Sequence, residues 1–503
     1  MTYSDPAFSL ANLIRAHADV RPSHIALSEG DRTVDFAELD SRSSQAGQAM
    51  MAEGVAPGDR VVIIARNSIA YYEAILAAAK IGAVLAGVNF RLTADEITSI
   101  LHDANPDLIL VGDEFAHLVH TRTKVVTLGD NYERWLSAFD CIDPNRSSPD
   151  DVVLQIYSSG TTGMPKGAML TNANLSWTPP MGREVYLMNE HSVNLLTAPL
   201  FHVGGSVYSF TTLAQGGHIV LSPEFDAVTT LSLIERHHVT HVFFVPTVIR
   251  MLLDVLVDHP IDLSSLELVA YGAAPIDVAT LTEAIDAFGC KFLGVYGMTE
   301  TAGPVSALVP DDHLPEGSRS YLLRSVGKPF AWHDVGIFDP VTKGRVESGS
   351  IGEIWVHSPQ NMAGYWHQPK LTLETLRPDG WMRTGDLGWQ DEKGFLYVQD
   401  RLKDLIITGG ENVYSGEVER VLVNHPDVNE VVVIGVPQPR WGETVKAVVV
   451  LRAGHTTDEA EVIEYCRKHL AHFKCPTSVD FVAELPRNAA GKVLKRVLRD
   501  AYR

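Results

Sequence analysis

The sequence predicts an α/β fold with a large N-terminal domain and a small α+β domain behind it. Short apolar runs of β-forming residues, such as Arg60 to Ile64 and Asp107 to Val111, alternate with helix-like stretches such as Ala70 to Lys80. This alternation is typical of βα units whose parallel strands are covered by helices on both faces. At 503 residues the chain is too long for a single small binding module. We therefore expect layered βα subdomains with mostly parallel sheets.

Composition and charge exclude several classes of function. Lys and Arg number 41 and Asp and Glu number 62, so the formal net charge is −21. Such an acidic chain is not expected to bind nucleic acid or an anionic membrane over a broad surface, and a polyanionic ligand would need a local site. The four cysteines are scattered without a metal-binding spacing, which is typical of reduced thiols in the cytosol.

No segment has the pattern of a membrane span. The N-terminal MTYSDPAFSL lacks the basic start and apolar run of a secretory signal, and the longest apolar stretch, Tyr71 to Phe90, contains Glu73 and Lys80. We expect a buried helix followed by a strand over that stretch, no transmembrane segment and a cytoplasmic location.

The character of the sequence changes near residue 400. The charged turn Asp400 to Asp404 is followed by Gly409-Gly410. The segment behind it has its own strands and helices, predicted at Glu430 to Ile434, Val445 to Leu451, Gly416 to Asn424 and Asp458 to Leu470. About 100 residues follow the turn, which is a normal size for a small domain. We predict a large domain at residues 1–400 and a small domain at residues 401–503.

A loop rich in glycine and hydroxyl residues follows the strand-like run Val152 to Ile156. Its glycines let backbone amides approach an anion, its hydroxyls donate to phosphate oxygens, and Lys166 adds a cation. Pro165 before the lysine and Gly167 after it exclude a Walker A loop. The loop predicts a triphosphate site whose contacting residues are Ser158, Ser159, Gly160, Thr161, Thr162, Gly163 and Lys166.

Further motifs follow this loop in order along the chain. They are Tyr296-Gly297-Met298-Thr299-Glu300, Thr384-Gly385-Asp386, Arg401 with Lys403, and Gly491-Lys492 after Pro486-Arg487. With these motifs the chain resembles the adenylate-forming superfamily, which includes acyl-CoA synthetases such as fatty-acid:CoA ligases, 4-coumarate:CoA ligases, firefly-type luciferases and peptide-synthetase adenylation domains. The resemblance implies an AMP-forming acyl-CoA ligase that first converts a carboxylic acid and ATP into acyl-AMP and pyrophosphate. Acyl-AMP and CoA then give acyl-CoA and AMP.

The resemblance also implies a role for each motif. Glu300 would hold Mg²⁺, and Thr299 would donate to the α-phosphate. Asp386 would accept hydrogen bonds from both ribose hydroxyls, and Arg401 would contact the ribose or a phosphate. The remaining residues expected around the nucleotide are Gly272, Ala273 and Ala274 beside the adenine, with Tyr296, Gly297 and Met298 next to them.

Two steps are expected to use the small domain differently. Adenylate formation brings two anions together, and Lys492 would bridge the substrate carboxylate and the α-phosphate. The small domain would then rotate about the hinge residue Lys403. After this rotation the residues facing the pantetheine arm of CoA would be Gly409, Gly410, Glu411 and Asn412.

The resemblance also implies an acyl pocket. By resemblance its residues are His202, Val203, Gly204, Tyr208, Phe243, Gly294, Met298, Gly303 and Pro304. His202 would orient the carboxylate or gate the thiol, although a buried histidine bonded to a carbonyl is an equally good interpretation. The glycines subtract volume, and no Lys or Arg lies nearby in sequence, which disfavours dicarboxylates and amino acids. We prefer a medium- to long-chain fatty acid, with an aromatic acid of the cinnamate or benzoate kind as the alternative.

Several alternatives stay open at this point. The acyl group could be loaded onto a separate carrier protein, a luciferase-like oxidase would emit light, and a non-catalytic ATP sensor would bind without turnover. The oligomeric state is open, with a homodimer among the alternatives. His237, His238 and His241 form an HHxxH pattern that we interpret as a solvated helix end rather than a metal site.

Overall fold

The computed structural model describes residues 7–158, 166–487 and 493–502. The chain divides into two compact units. The first unit consists of Met1–Val335 and Val356–Met382, and the second consists of Gly336–Trp355 and Arg383–Arg503. The α/β class, with a large N-terminal part and a small C-terminal part, is confirmed.

The described part of the first unit contains two mixed sheets. One has the spatial order Lys328–Pro329, Gly303–Leu308, Lys291–Met298, Leu268–Gly272, His241–Phe244, Val193–Leu196, His218–Leu221, Ile25–Glu29 and Arg32–Asp35. The other has the order Gly364–Tyr365, Lys166–Thr171, Val152–Ser158, Val84–Gly87, Arg60–Ile64, Leu108–Val111 and Lys124–Thr127. In both sheets the inner strands pair in parallel. Both edges of the first sheet carry antiparallel partners, whereas the second has an antiparallel edge at Gly364–Tyr365 and a parallel one at Lys124–Thr127. The parallel strands read as nearly continuous apolar runs because both of their faces are buried.

Helices connect and cover these strands. The α-helices of the first unit are Leu10–Val20, Phe36–Ala52, Ile69–Ile81, Ala94–Ala104, Asp130–Leu136, Asn172–Leu175, Thr178–Pro180, Val203–Gln215, Ala227–Arg236, Pro246–Asp258, Val278–Phe288 and Pro369–Thr375. Shorter turns of 3₁₀ or π helix are Asp113–Leu118, Met181–Val185, Thr299–Thr301, Pro310–Asp312 and Ser320–Arg324.

The longest apolar stretch forms the helix and strand that we predicted. Ser68 caps the helix Ile69–Ile81 by accepting from the Tyr71 amide, and Gly82 ends it at φ +75°. Its two charged residues are paired: Glu73 with Arg42, and Lys80 with Asp40 at 2.6 Å. Among the described residues, no helix combines the length and apolarity needed to cross a bilayer.

The second unit contains two further sheets. The strands of one sheet, which lie mainly in this unit, are Asp334–Phe338, Gly352–His357, Trp381–Gln390 and Leu396–Arg401. The other sheet has the order Glu411–Val413, Ile406–Thr408, Gly442–Leu451 and Val428–Gln438, with Ser478–Phe481 parallel to Gly442–Leu451. The helices are Ser415–Leu422, Glu459–Arg467 and Lys495–Asp500, and the 3₁₀ turns are Leu402–Asp404 and His472–Lys474.

The compact units do not divide at residue 400. Residues 383–400 belong to the second unit because the strand Trp381–Gln390 pairs with Leu396–Arg401 across a tight antiparallel turn. The residue at which a small domain rotates need not be the residue at which a compact unit begins. The domain boundary at residue 401 therefore stays a prediction about motion.

Candidate active site

The predicted phosphate loop lies between two antiparallel strands. Ser158 and Lys166 are register partners at the ends of these strands, and both are half-buried. The other loop residues that we predicted to bind phosphate, Ser159, Gly160, Thr161, Thr162 and Gly163, lie outside the described residues. The two ends of the loop are therefore adjacent, as a phosphate cradle requires.

A chain of buried hydrogen bonds supports the base of this loop. The Gln155 amide donates to the Tyr157 hydroxyl at 2.8 Å, and that hydroxyl donates to Asp103 Oδ2 at 2.8 Å. A Cβ at Gly167 would lie 2.7 Å from Gln155 Nε2. The glycine after Lys166 is thus needed for packing against Gln155, which the sequence interpretation used only to exclude a Walker A loop.

The Thr-Glu motif forms a tight turn between the strands Lys291–Met298 and Gly303–Leu308. A Cβ at Gly297 would lie 2.1 Å from the Gly303 carbonyl oxygen, so only glycine allows this close approach. The Thr301 hydroxyl donates to the same carbonyl at 2.6 Å. The turn therefore places Thr299, which is half-buried, and Glu300 at the end of a strand.

Glu300 is buried and held at two points. Its Oε1 accepts a hydrogen bond from the Tyr365 hydroxyl at 2.7 Å, and its backbone carbonyl accepts from the Met362 amide at 2.8 Å. Its Oε2 accepts no hydrogen bond from the part of the chain that the structure describes. A buried carboxylate with one oxygen left over fits a Mg²⁺ ligand, because Mg²⁺ is usually held by one or two carboxylates together with substrate phosphates.

The predicted adenine slot lies at the end of the strand Leu268–Gly272. A Cβ at Gly272 would lie 2.5 Å from the Val295 carbonyl oxygen, so the glycine is required by the neighbouring strand. Ala273 has φ +65°, an unusual backbone conformation for a residue with a side chain. Ala273 and Ala274 are exposed. Small exposed side chains at a strand end are compatible with a flat ring placed against them.

His202 precedes the helix Val203–Gln215 as its N-cap. Among the described residues its imidazole has no hydrogen-bond partner, and its role stays a prediction. Burial lowers the pKa of His202 to about 4, and the charge of Arg91 adds to this effect. The side chain is therefore neutral at pH 7 and offers one ring N–H.

Two glycines of the predicted acyl pocket have aromatic side chains against them. A Cβ at Gly204 would lie 3.2 Å from the Phe243 ring, and a Cβ at Gly294 would lie 2.7 Å from the Tyr271 hydroxyl. Tyr271 is the register partner of Gly294 in the parallel sheet. Two aromatic side chains thus lie in the space that these two glycines vacate.

Tyr208 and Phe243 belong to a buried aromatic cluster. The Tyr208 ring packs edge-on against Tyr186 at 4.9 Å between ring centroids and lies 5.5 Å from Phe243. The Tyr208 hydroxyl is buried and has no hydrogen-bond partner within the described residues. Burial raises the pKa of Tyr208 well above its usual value, so the hydroxyl is a neutral donor and acceptor.

The remaining predicted pocket residues lie near the Thr-Glu turn. Val203 and Met298 are half-buried, and Pro304 is the register partner of Gly297. A Cβ at Gly303 would meet only Val207, at 3.7 Å. This glycine therefore has space around it, in contrast to Gly204 and Gly294.

The predicted ribose residues are paired in the second unit. Arg401 Nε lies 2.7 Å from Asp386 Oδ1, and the two residues are register partners in neighbouring strands. Asp386 follows Gly385, which has φ +71°. The Thr384 hydroxyl donates to the Ile354 carbonyl and accepts from the Asp386 amide. This motif therefore lies within the strand Trp381–Gln390, with the carboxylate next to Gly385.

The predicted hinge and CoA loop also lie in the second unit. The carbonyl of Lys403 accepts from Arg499 at 3.3 Å. A Cβ at Gly409 would lie 2.9 Å from the Trp441 ring, and the Gly409 amide donates to the Trp441 carbonyl. Gly410, Glu411 and Asn412 are exposed, and Lys492 lies outside the described residues.

The sequence interpretation missed Tyr365 and Trp441. Neither lies in one of the quoted motifs, and each is brought to a motif by strand pairing or a turn contact between distant segments. The HHxxH interpretation is wrong for His241, which is fully buried as the first residue of the strand His241–Phe244.

Comparison with known proteins places the chain in a family. Residues 14–366 match the AMP-binding enzyme family, and residues 417–492 match the AMP-binding enzyme C-terminal domain. The chain belongs to the AMP-binding enzymes of the adenylate-forming superfamily. It is an acid–thiol ligase of the AMP-forming acyl-CoA synthetase class.

Curated relatives of the chain differ in their acids and acceptors. A fatty acid–[acyl-carrier-protein] ligase, ScoC, of Streptomyces coeruleorubidus is 35% identical over 97% of this chain and 95% of its own length. A feruloyl-CoA synthase of an Amycolatopsis species is 38% identical over 96% of this chain and 97% of its own length.

Solved structures of other proteins are similar to this chain over almost its whole length. The o-succinylbenzoate CoA synthetase of Bacillus subtilis, in complex with its acyl-adenylate intermediate, has a TM-score of 0.88 at 31% identity and covers 97% of this chain and 98% of its own. The ATP-bound MatB of Rhodopseudomonas palustris has a TM-score of 0.88 at 32% identity and covers 98% of this chain and 99% of its own. These neighbours support the use of ATP by this enzyme.

Proposed function

We propose that this ligase activates a compact aromatic carboxylic acid, of the cinnamate or benzoate kind, and transfers its acyl group to CoA. The observation that carries the proposal is the filled space behind Gly204 and Gly294. A medium- to long-chain fatty acid would need that space to be open. With Phe243 and Tyr271 in that space, a short flat acid fits the described packing better than a long chain.

The aromatic cluster supports the same substrate class. Tyr186, Tyr208 and Phe243 offer ring edges and faces to an aromatic acid. The Tyr208 hydroxyl is buried and has no partner among residues that the structure describes, and such a hydroxyl costs the free enzyme about 1–3 kcal/mol. A hydroxyl or methoxy group on the bound acid would satisfy it. We therefore expect a ring substituent that can form a hydrogen bond.

Adenylate formation requires positive charge between two anions. Lys166 lies at the exit of the phosphate loop, and Lys492 would bridge the substrate carboxylate and the α-phosphate. His202 is neutral at pH 7, so it would orient the carboxylate through its N–H rather than by charge. Glu300 would hold Mg²⁺, which when bound neutralises phosphate charge.

Thioester formation would follow rotation of the small domain about Lys403. The loop Gly409 to Asn412, with Trp441 against Gly409, would then face the pantetheine arm. The thiol needs no strong protein base because AMP is a good leaving group. The carbonyl carbon gains a bond to sulfur and loses its bond to the phosphate oxygen, and the thiol proton is released.

Pyrophosphate release from a panel of acids tests the proposal. The panel contains benzoate, cinnamate, 4-hydroxycinnamate, ferulate, octanoate and palmitate, each assayed with ATP, Mg²⁺ and CoA. We expect kcat/KM for the best hydroxylated aromatic acid to exceed that for either fatty acid by about tenfold or more. Higher values for octanoate or palmitate would overturn the aromatic assignment. Replacing CoA by a phosphopantetheinyl carrier protein in the same assay decides the acceptor.

A further inference from the structure

Tyr365 connects two predicted parts of the nucleotide site. It lies in the strand Gly364–Tyr365, which pairs with Lys166–Thr171, the strand that leaves the phosphate loop. The Trp366 amide donates to the Gly167 carbonyl at 2.8 Å, which places the segment directly beside Lys166. Its phenol reaches the Thr-Glu turn on the other side.

The contact with Glu300 is short, buried and specific in direction. The Tyr365 hydroxyl donates to Glu300 Oε1 at 2.7 Å, and Tyr365 is 5% exposed and Glu300 7% exposed. A phenol is protonated at neutral pH, so the Tyr365 hydroxyl is the donor and the Glu300 carboxylate the acceptor. A hydrogen bond to a charged group is stronger than one between neutral groups.

The surrounding backbone fixes the position of the phenol. The Tyr365 amide donates to the Thr372 hydroxyl at 2.9 Å, and the Met362 amide donates to the Glu300 carbonyl at 2.8 Å. Gly364 has φ +143°, and a Cβ there would lie 2.8 Å from Thr372 Cγ2. The ring also lies under the Lys166 ammonium, with 5.3 Å between Nζ and the ring centroid.

We infer that Tyr365 is a positioning residue, which fixes Glu300 Oε1 so that Oε2 faces the divalent cation bound with ATP. This inference rests on the proposed metal role of Glu300. Without the phenol, the Glu300 carboxylate would be free to rotate about χ3. The cation would then meet the carboxylate in several orientations, and its affinity would fall. Tyr365 would therefore act on metal affinity and on adenylate formation, and not on thioester formation.

The test measures binding of Mn²⁺ to the full-length enzyme in the presence of a non-hydrolysable ATP analogue, by the loss of the free Mn²⁺ signal in electron paramagnetic resonance. We expect Tyr365→Phe to weaken Mn²⁺ binding about tenfold, because one hydrogen bond to a charged group is removed. The Mg²⁺ concentration needed for half-maximal pyrophosphate release should rise in parallel. Acyl-CoA formation from supplied acyl-AMP should stay unchanged.

Tyr502 provides a matched control. Its phenol also donates to a carboxylate, Asp480, and a lysine ammonium, that of Lys446, lies 4.5 Å from its ring centroid. Tyr502→Phe therefore removes the same kind of contact away from the Thr-Glu turn. It should leave Mn²⁺ binding and the Mg²⁺ requirement unchanged.

Glu300→Gln distinguishes the metal role of Glu300 from the positioning role of Tyr365. If this variant binds Mn²⁺ as the wild type does, the metal role of Glu300 in the proposed function is wrong. If Glu300→Gln weakens Mn²⁺ binding and Tyr365→Phe does not, only the positioning role is wrong. The double variant should bind Mn²⁺ no more weakly than Glu300→Gln alone, since the phenol acts through the carboxylate. If the loss of Mn²⁺ affinity in the double variant equals the product of the two single losses, the inference is overturned.

Discussion

At the scale of single residues, Gly297 shows how a missing side chain determines the Thr-Glu turn. A methyl group at this position would overlap the Gly303 carbonyl, 2.1 Å away. We expect Gly297→Ala to lower the unfolding free energy by about 3 kcal/mol or more and to abolish ATP binding, because the paired strands must separate. Thermal unfolding and titration with a fluorescent ATP analogue measure both effects.

The control for this variant is Gly344→Ala. Its Cβ would meet only the Thr342 hydroxyl, at 3.6 Å. We expect a change of less than about 1 kcal/mol and normal nucleotide binding. Equal stability of the two variants would show that the approach of Gly297 to Gly303 is not required.

Tyr208 and Tyr157 are both buried, but we expect their replacement by phenylalanine to change the unfolding free energy in opposite directions. The Tyr208 hydroxyl has no partner in the described part of the chain, whereas the Tyr157 hydroxyl donates to Asp103. Tyr208→Phe should stabilise the free enzyme by about 1 kcal/mol, and Tyr157→Phe should destabilise it by about 1–3 kcal/mol. Denaturant unfolding compares the two. Destabilisation by Tyr208→Phe would mean that the hydroxyl has a partner in the free enzyme.

The local backbone around contiguous motifs was predictable from the sequence, whereas the roles of their residues stay predictions. Glu300 lies in the turn that Gly297 allows, and Asp386 lies in a strand directly after Gly385. Tyr365 was not predictable, because its phenol reaches Glu300 through strand pairing between segments far apart in the chain. The backbone of a turn depends on neighbouring residues in the sequence, whereas the hydrogen-bond partners of its side chains come from distant segments.

At the scale of elements, a buried ion pair joins two helices. Lys80, in the helix Ile69–Ile81, contacts Asp40 and the Ser44 hydroxyl in Phe36–Ala52. Burial lowers the pKa of Lys80, and the charge of Asp40 opposes this effect. We expect Lys80→Ala to cost about 3–5 kcal/mol, since it leaves a cavity and an unpaired Asp40.

Lys80→Met is the matched variant, because it keeps most of the side-chain volume without the charge. We expect it to cost clearly less than Lys80→Ala in denaturant unfolding, as replacements of buried charges by apolar groups often do. Equal losses would show that the charge pairing, rather than the packing, carries the stability of this helix pair.

The strand Leu268–Gly272 carries Tyr271, which we propose limits the acyl pocket. The Tyr271 hydroxyl lies 3.0 Å from His313 Nε2, and the His313 Nδ1 lies 2.9 Å from the Val309 carbonyl oxygen. This pairing holds the ring over Gly294. We expect Tyr271→Ala to raise kcat/KM for octanoate about tenfold relative to cinnamate, because the vacated space accepts a longer acid. An unchanged ratio would mean that Tyr271 does not limit the pocket.

Elements were easier to predict than the space between them. The strand Arg60–Ile64 and the helix Ile69–Ile81 agree with the predicted runs to within one or two residues. A glycine vacates volume only if no neighbour fills it, so glycine positions alone do not give the depth of the pocket. The neighbour of Gly294 is set by the register with Tyr271, which residue order alone does not reveal.

At the scale of the whole molecule, buried neutral histidines make the fold sensitive to acid. Burial lowers the pKa of His202, His218, His241 and His313 to about 4 and that of His333 to about 3. Below pH 6.5 the unfolded chain takes up protons at these sites and the folded chain does not, so stability falls as the pH falls from 6.5 towards 4.

Each such histidine contributes a slope of up to about 1.4 kcal/mol per pH unit within this window. Denaturant unfolding at pH 7.5, 6.5, 5.5 and 5.0 measures the total. His313→Gln should reduce the slope of unfolding free energy against pH by up to about 1.4 kcal/mol per pH unit. A stability that stays constant between pH 6.5 and 5 would contradict the burial of these groups.

The motion of the small domain is the claim that connects both half-reactions. Lys492 is expected to act only in adenylate formation, and the lid is expected to withdraw it before CoA attacks. The exposed Lys468 of the second unit provides a control with the same charge change. Its replacement by alanine should affect neither step.

Single-turnover kinetics of Lys492→Ala test this mechanism most directly. Pyrophosphate release from acid and ATP should fall by about a hundredfold or more, because the charge between the two anions is lost. Acyl-CoA formation from supplied acyl-AMP should stay within about threefold of the wild-type rate. Equal losses in both steps, or normal pyrophosphate release, would contradict it.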